Sequence, residues 1–465
     1  MTTVSRIRAL LDDIAGVPSS DDPAVVAAKS RDMYAVSPLL RRALRGRVAE
    51  AVVSPRDAPE LSRVLSAAVR HRVPLTPRGG GTANYGQSVP LSGGAMLDMT
   101  GFAGIVWRRG DRVRVRAGTR MTDFDRALRP DGVELRIHPS TRDESTVGGF
   151  IAGGSGGMGS CTWGMLRDPG NILAIEAMSV EESPRLVELR GEDTALMQHA
   201  YGTNGVMTEI ELPLAIAHPW IEVIAAFPDL AAAAAFGVAL AAEPAIAKKL
   251  VSVQEWPVPR MMRALDGIVP EGCSMVACMV ARQHLGDATV LAAVHGGRVV
   301  SAMPEGQGPY GAPLYEFAFG HALRQIQKTH PKTTVLQGMF PADGLLDRLA
   351  AVRAAVGDAG PMRFEVFRSQ GALVGMGSPY VPFESEGQLA SIVARMQALG
   401  VSVANSHVTG VRAVGIKRLD ARDLALKRAM DPHGLLNPGK GLDAPEETAR
   451  TSLGTEGWAG GRPAA

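Results

Sequence analysis

Three glycine-centred segments and a few histidines carry most of the chemical signal in this chain. The run Pro77-Arg78-Gly79-Gly80-Gly81-Thr82 directly follows a β-α-β pattern. Consecutive glycines leave backbone N–H groups unobstructed, so a diphosphate can approach them closely. A tight surface turn is the competing reading. Between Gly148 and Gly164, eight glycines fall in 17 residues. Gly154-Ser155-Gly156-Gly157-Met158-Gly159 fits G-x-G-x-x-G, but Ser160-Cys161-Thr162-Trp163-Gly164 and then Pro169-Gly170 follow it. A dinucleotide fingerprint must open a helix, so this stretch reads as backbone laid against a flat ligand. Gly439-Lys440 precedes Gly441 rather than Ser or Thr, which leaves no triphosphate-binding loop.

The elements that must position these segments are legible from spacing. Asp57 can cap a helix with Pro59 in its first turn. Leu61, Val64, Leu65, Ala68 and Val69 then form one apolar face. A strand over 73–76 runs straight into the glycine loop. Strand patterns follow at 95–99, 112–116, 134–137, 172–180 and 205–213. In 112–116 Arg alternates with Val, which predicts one wet face. Beyond Pro219, strands over 220–227, 250–256, 273–281 and 298–302 alternate with helices, the first over 230–242. The order β-α-β-β-α-β suggests a ferredoxin-like module, and 333–404 reads as a weaker second copy. A helix over 421–430 ends at Asp431-Pro432, and the polar, Gly/Pro-rich residues 442–465 read as a loose tail.

Composition bounds the function. The 465 residues are 46% hydrophobic and 21% charged, which fits a globular chain of two or three domains. A net charge of +2 gives no electrostatic footprint for nucleic acid. The local cluster Arg41, Arg42, Arg45 and Arg47 reads as a solvated face or subunit contact, with an anionic membrane or partner as the alternative. Three cysteines, Cys161, Cys273 and Cys278, make no disulfide framework and suggest a reducing, cytoplasmic setting. The N-terminus lacks the apolar core of a secretory signal. The uncharged stretch 230–242 falls short of the roughly 20 residues that span a bilayer.

The order of the parts resembles a known family. The glycine loop is followed by Val115-Arg116-Ala117-Gly118, His138-Pro139-Ser140-Thr141 and Thr146-Val147-Gly148-Gly149-Phe150-Ile151-Ala152. Then come Ala200-Tyr201-Gly202-Thr203-Asn204-Gly205-Val206 and Asp431-Pro432-His433-Gly434-Leu435-Leu436-Asn437-Pro438-Gly439-Lys440. Together, over roughly residues 45 to 441, these resemble the vanillyl-alcohol oxidase/p-cresol methylhydroxylase flavoproteins, in particular the FAD-linked glycolate oxidase and D-lactate dehydrogenase-like members. The resemblance implies an α+β fold: a two-subdomain p-cresol methylhydroxylase-type FAD-binding domain over 46–216, completed by 421–441, with a ferredoxin-like α+β cap over 217–420 and a helical segment over 1–45. It implies that Pro77, Arg78, Gly79, Gly80, Gly81, Thr82 and Gln87 hold the FAD diphosphate side. Pro139, Ser140, Thr141, Thr146, Gly148, Gly149 and Ala152 would line the flavin, with Gly205 and Val206 near the adenine and ribose. Asn437 and Lys440 would return to the flavin ring. Flavin-linking members have His where this chain has Thr82, so FAD is expected to be noncovalent. The string His-x-Gly-Asp-Gly-Asn-x-His of metal-dependent members is absent, so no catalytic metal is expected. Of the family's late Gly-Glu-His-Gly, Asn405-Ser406-His407-Val408 keeps only the histidine.

The expected reaction is hydride transfer from a small hydroxylated substrate, such as a 2-hydroxy acid, to flavin N5, with a base for the hydroxyl proton. His407 and His321 are the candidates, since His works well near neutral pH. A substrate carboxylate would want Arg, and Arg324, Arg363 and Arg368 are candidates. Residues 363, 365 and 367 share one strand face and 368 points away. Tyr310 and Tyr315 are further candidates for the proton acceptor. Reoxidation would use O₂ or an electron-acceptor protein or quinone. The alternatives are an alcohol, sugar, amine or lactone substrate, or a flavin-binding subunit of an electron-transfer complex. The oligomeric state, a homo-oligomer included, is left open.

Overall fold

A computed structural model describes residues 3–441; the tail expected over 442–465 lies outside the described residues. The helix Ala58–His71 illustrates how local sequence becomes structure. Asp57 Oδ1 accepts from the Glu60 N–H at 2.8 Å, and Leu61, Val64, Leu65 and Ala68 are fully buried. This face packs against a four-stranded sheet ordered Ser19–Ser20, Ala51–Val53, Ala95–Asp98, Leu75–Arg78. The strand Leu75–Arg78 runs parallel to Ala95–Asp98 and delivers the chain directly into Gly79.

A six-stranded sheet follows, ordered Ile105–Arg109, Arg112–Arg116, Val206–Ile216, Ala174–Met178, Leu186–Arg190, with Val133–Leu135 paired to the end of Val206–Ile216. The wet face expected over 112–116 is not what forms. Arg114 is largely buried, because Glu209 and Glu188 each accept from it at 2.6 Å and Glu176 at 3.4 Å. Carboxylates from neighbouring strands offset the cost of taking the guanidinium out of water.

The third sheet has nine strands. Its path is Arg298–Pro304, Trp220–Phe227, Ser274–Ala281, Lys248–Gln254, Met362–Ser369, Ala372–Pro382, Gln337–Phe340, Ser402–Ala404. Its two halves meet where Ser252 pairs with Glu365. The strand expected to begin at 333 is divided. Thr333–Val335 pairs with the end of Ala372–Pro382, and Gln337–Phe340 pairs with its middle. One face of the sheet carries Val251, Val253, Phe364 and Val366 into a core with the helices Leu230–Ala242, Leu345–Val356 and Glu386–Ala398. The other face presents Met339, Met376 and Glu365, which are register partners, together with Arg363 and Phe367. Arg368 points to the helix side, where it donates to the Ala241 carbonyl at 3.3 Å.

The N-terminal helices Thr3–Asp13, Pro23–Lys29 and Pro38–Ala43 lead a segment that bridges the two halves. The Met33 N–H donates to Ala83 O at 2.7 Å, and Gln327 Nε2 donates to Val36 O at 2.9 Å. After the helix Ala421–Met430 the chain returns beside Leu75, with Leu75 N to Leu435 O at 2.8 Å and Asn437 N to Leu75 O at 2.7 Å. Among the described residues no helix is long and apolar enough to cross a membrane.

Candidate functional site

A cavity lies between the glycine-rich loops and the open face of the nine-stranded sheet. One wall is mostly backbone. Pro77, Arg78, Gly79, Gly80, Gly81, Thr82 and Gln87 line it, as do Pro139, Ser140, Thr141, Thr146, Gly148, Gly149, Ala152, Gly205 and Val206. The loops pack too closely for side chains: a Cβ at Gly79 would collide with Thr146 Oγ1, and one at Gly80 with the Glu144 carbonyl. Gly81 has φ +71°, a conformation that glycine adopts without cost. Hydroxyls knit the base, with Ser145 Oγ 2.8 Å from Thr82 Oγ1 and 2.7 Å from Thr141 Oγ1. Among the described residues, the N–H groups of Gly79, Gly80, Gly81 and Thr82 donate to no backbone carbonyl. Among the described residues Arg78 is the one Arg or Lys in the lining, and burial lowers its pKa.

Two residues expected at the ring are placed elsewhere. Lys440 is fully buried, and its ammonium donates to the carbonyls of Gly86 at 2.5 Å, Gln87 at 3.0 Å and Val89. Burial pushes its pKa down, and the nearby Asp32 carboxylate opposes the shift. Asn437, at φ +46°, donates to Gln87 O at 2.9 Å and Tyr201 O at 2.7 Å. Neither lines the cavity. Both pin the lining loops from behind, donating to buried loop carbonyls of which, among the described residues, only Gly86 O also accepts from a neighbouring N–H, that of Val89 at 3.1 Å.

The opposite wall comes from the nine-stranded sheet and the helix Phe319–Gln327. Of the four catalytic candidates, His321 alone lines the cavity. Its Nδ1 lies 2.6 Å from Glu316 Oε2, and its Nε2 lies 3.2 Å from Arg324 Nη1. A carboxylate can only accept and a guanidinium can only donate, so Nδ1 carries the proton and Nε2 the lone pair. Arg324 stands behind His321 and also contacts Met33 Sδ at 3.2 Å.

His407 stays behind the wall. Its Nδ1 is 2.8 Å from Ser37 Oγ, and burial pushes its pKa down to about 4, so it is neutral. Arg363 shares a sheet face with Phe367, yet Phe367 reaches the cavity and Arg363 does not. Its Nη2 donates to Leu336 O at 3.2 Å, and its charge acts on the buried Glu365.

The sequence reading missed Asn84, Tyr85, His199, Tyr201, Met339, Phe367, Met376 and Ile416 in the lining. The motif Ala200-Tyr201-Gly202 was the one sequence mark near them, and the structure gives Tyr201 φ +55° and His199 φ +48°, strained backbone at that place. The sheet residues carry no comparable mark. Away from the cavity, Arg129 bonds Asp125 at 3.0 Å and Glu305, just past the end of the strand Arg298–Pro304, at 3.2 Å.

Residues 49–180 match the FAD binding domain family. The chain is 36% identical over 158 residues to D-2-hydroxyglutarate dehydrogenase of Pseudomonas putida, which covers 33% of this chain and 15% of that protein. An uncharacterised FAD-linked oxidoreductase of Mycobacterium tuberculosis is 23% identical over 433 residues, covering 83% of this chain and 89% of its own. The solved alkyldihydroxyacetonephosphate synthase has the same fold, with a TM-score of 0.66 at 15% identity over 94% of this chain and 85% of its own. The cavity residues fit FAD: N–H groups with no backbone acceptor and Arg78 suit a diphosphate, and the bare glycine backbone suits a flat ring. The matched domain over residues 49–180 takes FAD as its cofactor.

Proposed function

We propose that the chain is an FAD-dependent oxidoreductase that oxidises a small hydroxylated substrate to the carbonyl. In this reading an FAD-binding domain of two subdomains over 46–216 is completed by 421–441. A cap of two ferredoxin-like modules over 217–420 supplies the substrate wall. The observation that carries the reading is one cavity with the glycine loops and Arg78 on one wall and His321 on the other.

When bound, FAD supplies the acceptor for a hydride from the carbinol carbon. The remaining work falls to the protein. Gly79 to Thr82 and Arg78 neutralise the diphosphate. Glu316 holds the His321 tautomer that leaves Nε2 as acceptor, and Nε2 takes the substrate's hydroxyl proton as the C–H bond breaks. To reach that lone pair the substrate hydroxyl must displace Arg324 Nη1 from Nε2. Thr82 leaves the glycine loop without an attaching histidine, so FAD is held noncovalently. Electrons then pass to O₂ or to an acceptor protein or quinone. The match to a D-2-hydroxyglutarate dehydrogenase supports a 2-hydroxy acid among the hydroxylated substrates.

Anaerobic bleaching of the flavin spectrum by hydroxy acids and alcohols tests the reading. His321→Asn is expected to slow bleaching by about 10²- to 10⁴-fold while FAD stays bound. Unchanged bleaching in that variant would remove His321 as the base. A protein that holds FAD but is bleached by no hydroxylated compound would instead be an electron-carrying subunit.

A further inference from the structure

The substrate wall is selective in a way the glycine wall is not. Met165, Met339, Phe367, Met376, Ala404 and Ile416 all line the cavity, and all belong to or pack on one apolar cluster. Met339 and Met376 face each other as register partners on adjacent strands. The polar side chains at this end are satisfied by one another: the Tyr85 hydroxyl bonds Gln337, and the Tyr201 hydroxyl lies 3.3 Å from His199 Nε2. Arg363 and Glu365 occupy the same sheet face but are kept out of the lining. Apart from His321, no charge-bearing side chain from the nine-stranded sheet or its helices lines the cavity among the described residues.

We infer that the substrate is amphipathic: its hydroxylated carbon lies by His321, and an uncharged branched or aromatic substituent fills the methionine-rich pocket. This rests on the oxidation proposed above. A distal carboxylate would lose its hydration against thioethers and a phenyl ring with no cation to receive it. An added methylene gains burial, worth about fourfold in binding for each one. Methionine side chains adapt to irregular apolar shapes, which suits a family of such substituents better than one rigid outline.

The test compares two series on the FAD-loaded protein. The acids are glycolate, lactate, 2-hydroxyisocaproate, 3-phenyllactate and 2-hydroxyglutarate, with both enantiomers of each chiral acid. The alcohols are ethanol, 3-methylbutanol and 2-phenylethanol. Both the perturbation of the oxidised flavin spectrum, read as a dissociation constant, and the anaerobic bleaching rate are measured. The expected result is a rise of at least tenfold from the smallest to the branched or aromatic members of one series, with 2-hydroxyglutarate weaker than 2-hydroxyisocaproate. Met376→Glu should lower that preference tenfold or more while the flavin spectrum is retained. Should that variant lose its flavin, Met376→Ala should shift the optimum toward the larger aromatic members. The inference is overturned if glycolate or 2-hydroxyglutarate matches the apolar members, or if no apolar member perturbs the flavin. A chain that takes up no FAD would instead overturn the underlying reading.

Discussion

The two walls of the cavity meet the same space but are built by opposite rules. The glycine wall is mostly backbone, contributed by loops between residues 77 and 157 with Gly205 and Val206, and its close approach depends on side chains being absent at the glycines. The substrate wall is side chains, drawn from the helix Phe319–Gln327 and from strands that become neighbours only in the folded sheet. Recognition by backbone leaves a dense local mark in a sequence. Recognition by one face of a sheet leaves only alternation, and every strand has that.

Breaking the glycine wall should have the largest effect. Gly80→Val would drive its side chain into the Glu144 carbonyl, so the variant should retain no FAD. Its far-ultraviolet circular dichroism should persist, because the nine-stranded sheet has a separate core. FAD retained at wild-type affinity would refute the close packing of the two loops.

The clamp behind that wall comes next. Lys440→Met removes a donor from the carbonyls of Gly86, Gln87 and Val89 and takes from Asp32 the cation that acts on it most strongly. Breaking a buried charge arrangement in this way costs about 3–5 kcal/mol. Chemical denaturation should show that loss even without FAD. A loss seen only in the FAD-loaded protein would mean that Lys440 serves the ring rather than the loop.

A smaller test sharpens the substrate wall. Burial raises the pKa of Glu365 to about 7, and its Oε1 accepts from the Phe319 N–H at 2.9 Å, two residues before His321. The folded state therefore keeps a proton that the unfolded chain releases above about pH 4.5. The stability this contributes is complete below that pH and is lost as the pH rises through 7. Glu365→Gln keeps the acceptor and removes the titration. Relative to wild type it should gain up to about 3 kcal/mol between pH 5 and pH 8. A difference that does not change with pH would show that the carboxyl titrates normally.

What the sequence disclosed follows the same division. The helix Ala58–His71 and the loop after Leu75–Arg78 were readable because cap, apolar face and glycines lie close together along the chain. Arg114 was misread as wet because its carboxylates arrive from other strands. Lys440 was assigned to the ring because nothing local reveals that its acceptors are carbonyls about 350 residues earlier. His407 lies outside the cavity lining and bonds Ser37, 370 residues away in sequence. His321, which lines the cavity, stands out in the sequence because its segment is aromatic in a chain with only 5% aromatic residues.

The most direct test of the central claim is the visible spectrum of the purified chain, with added FAD, before and after acid precipitation. The expected result is a flavin spectrum whose colour passes into the supernatant, with Gly80→Val colourless under the same conditions. A wild-type protein that takes up no FAD would contradict it.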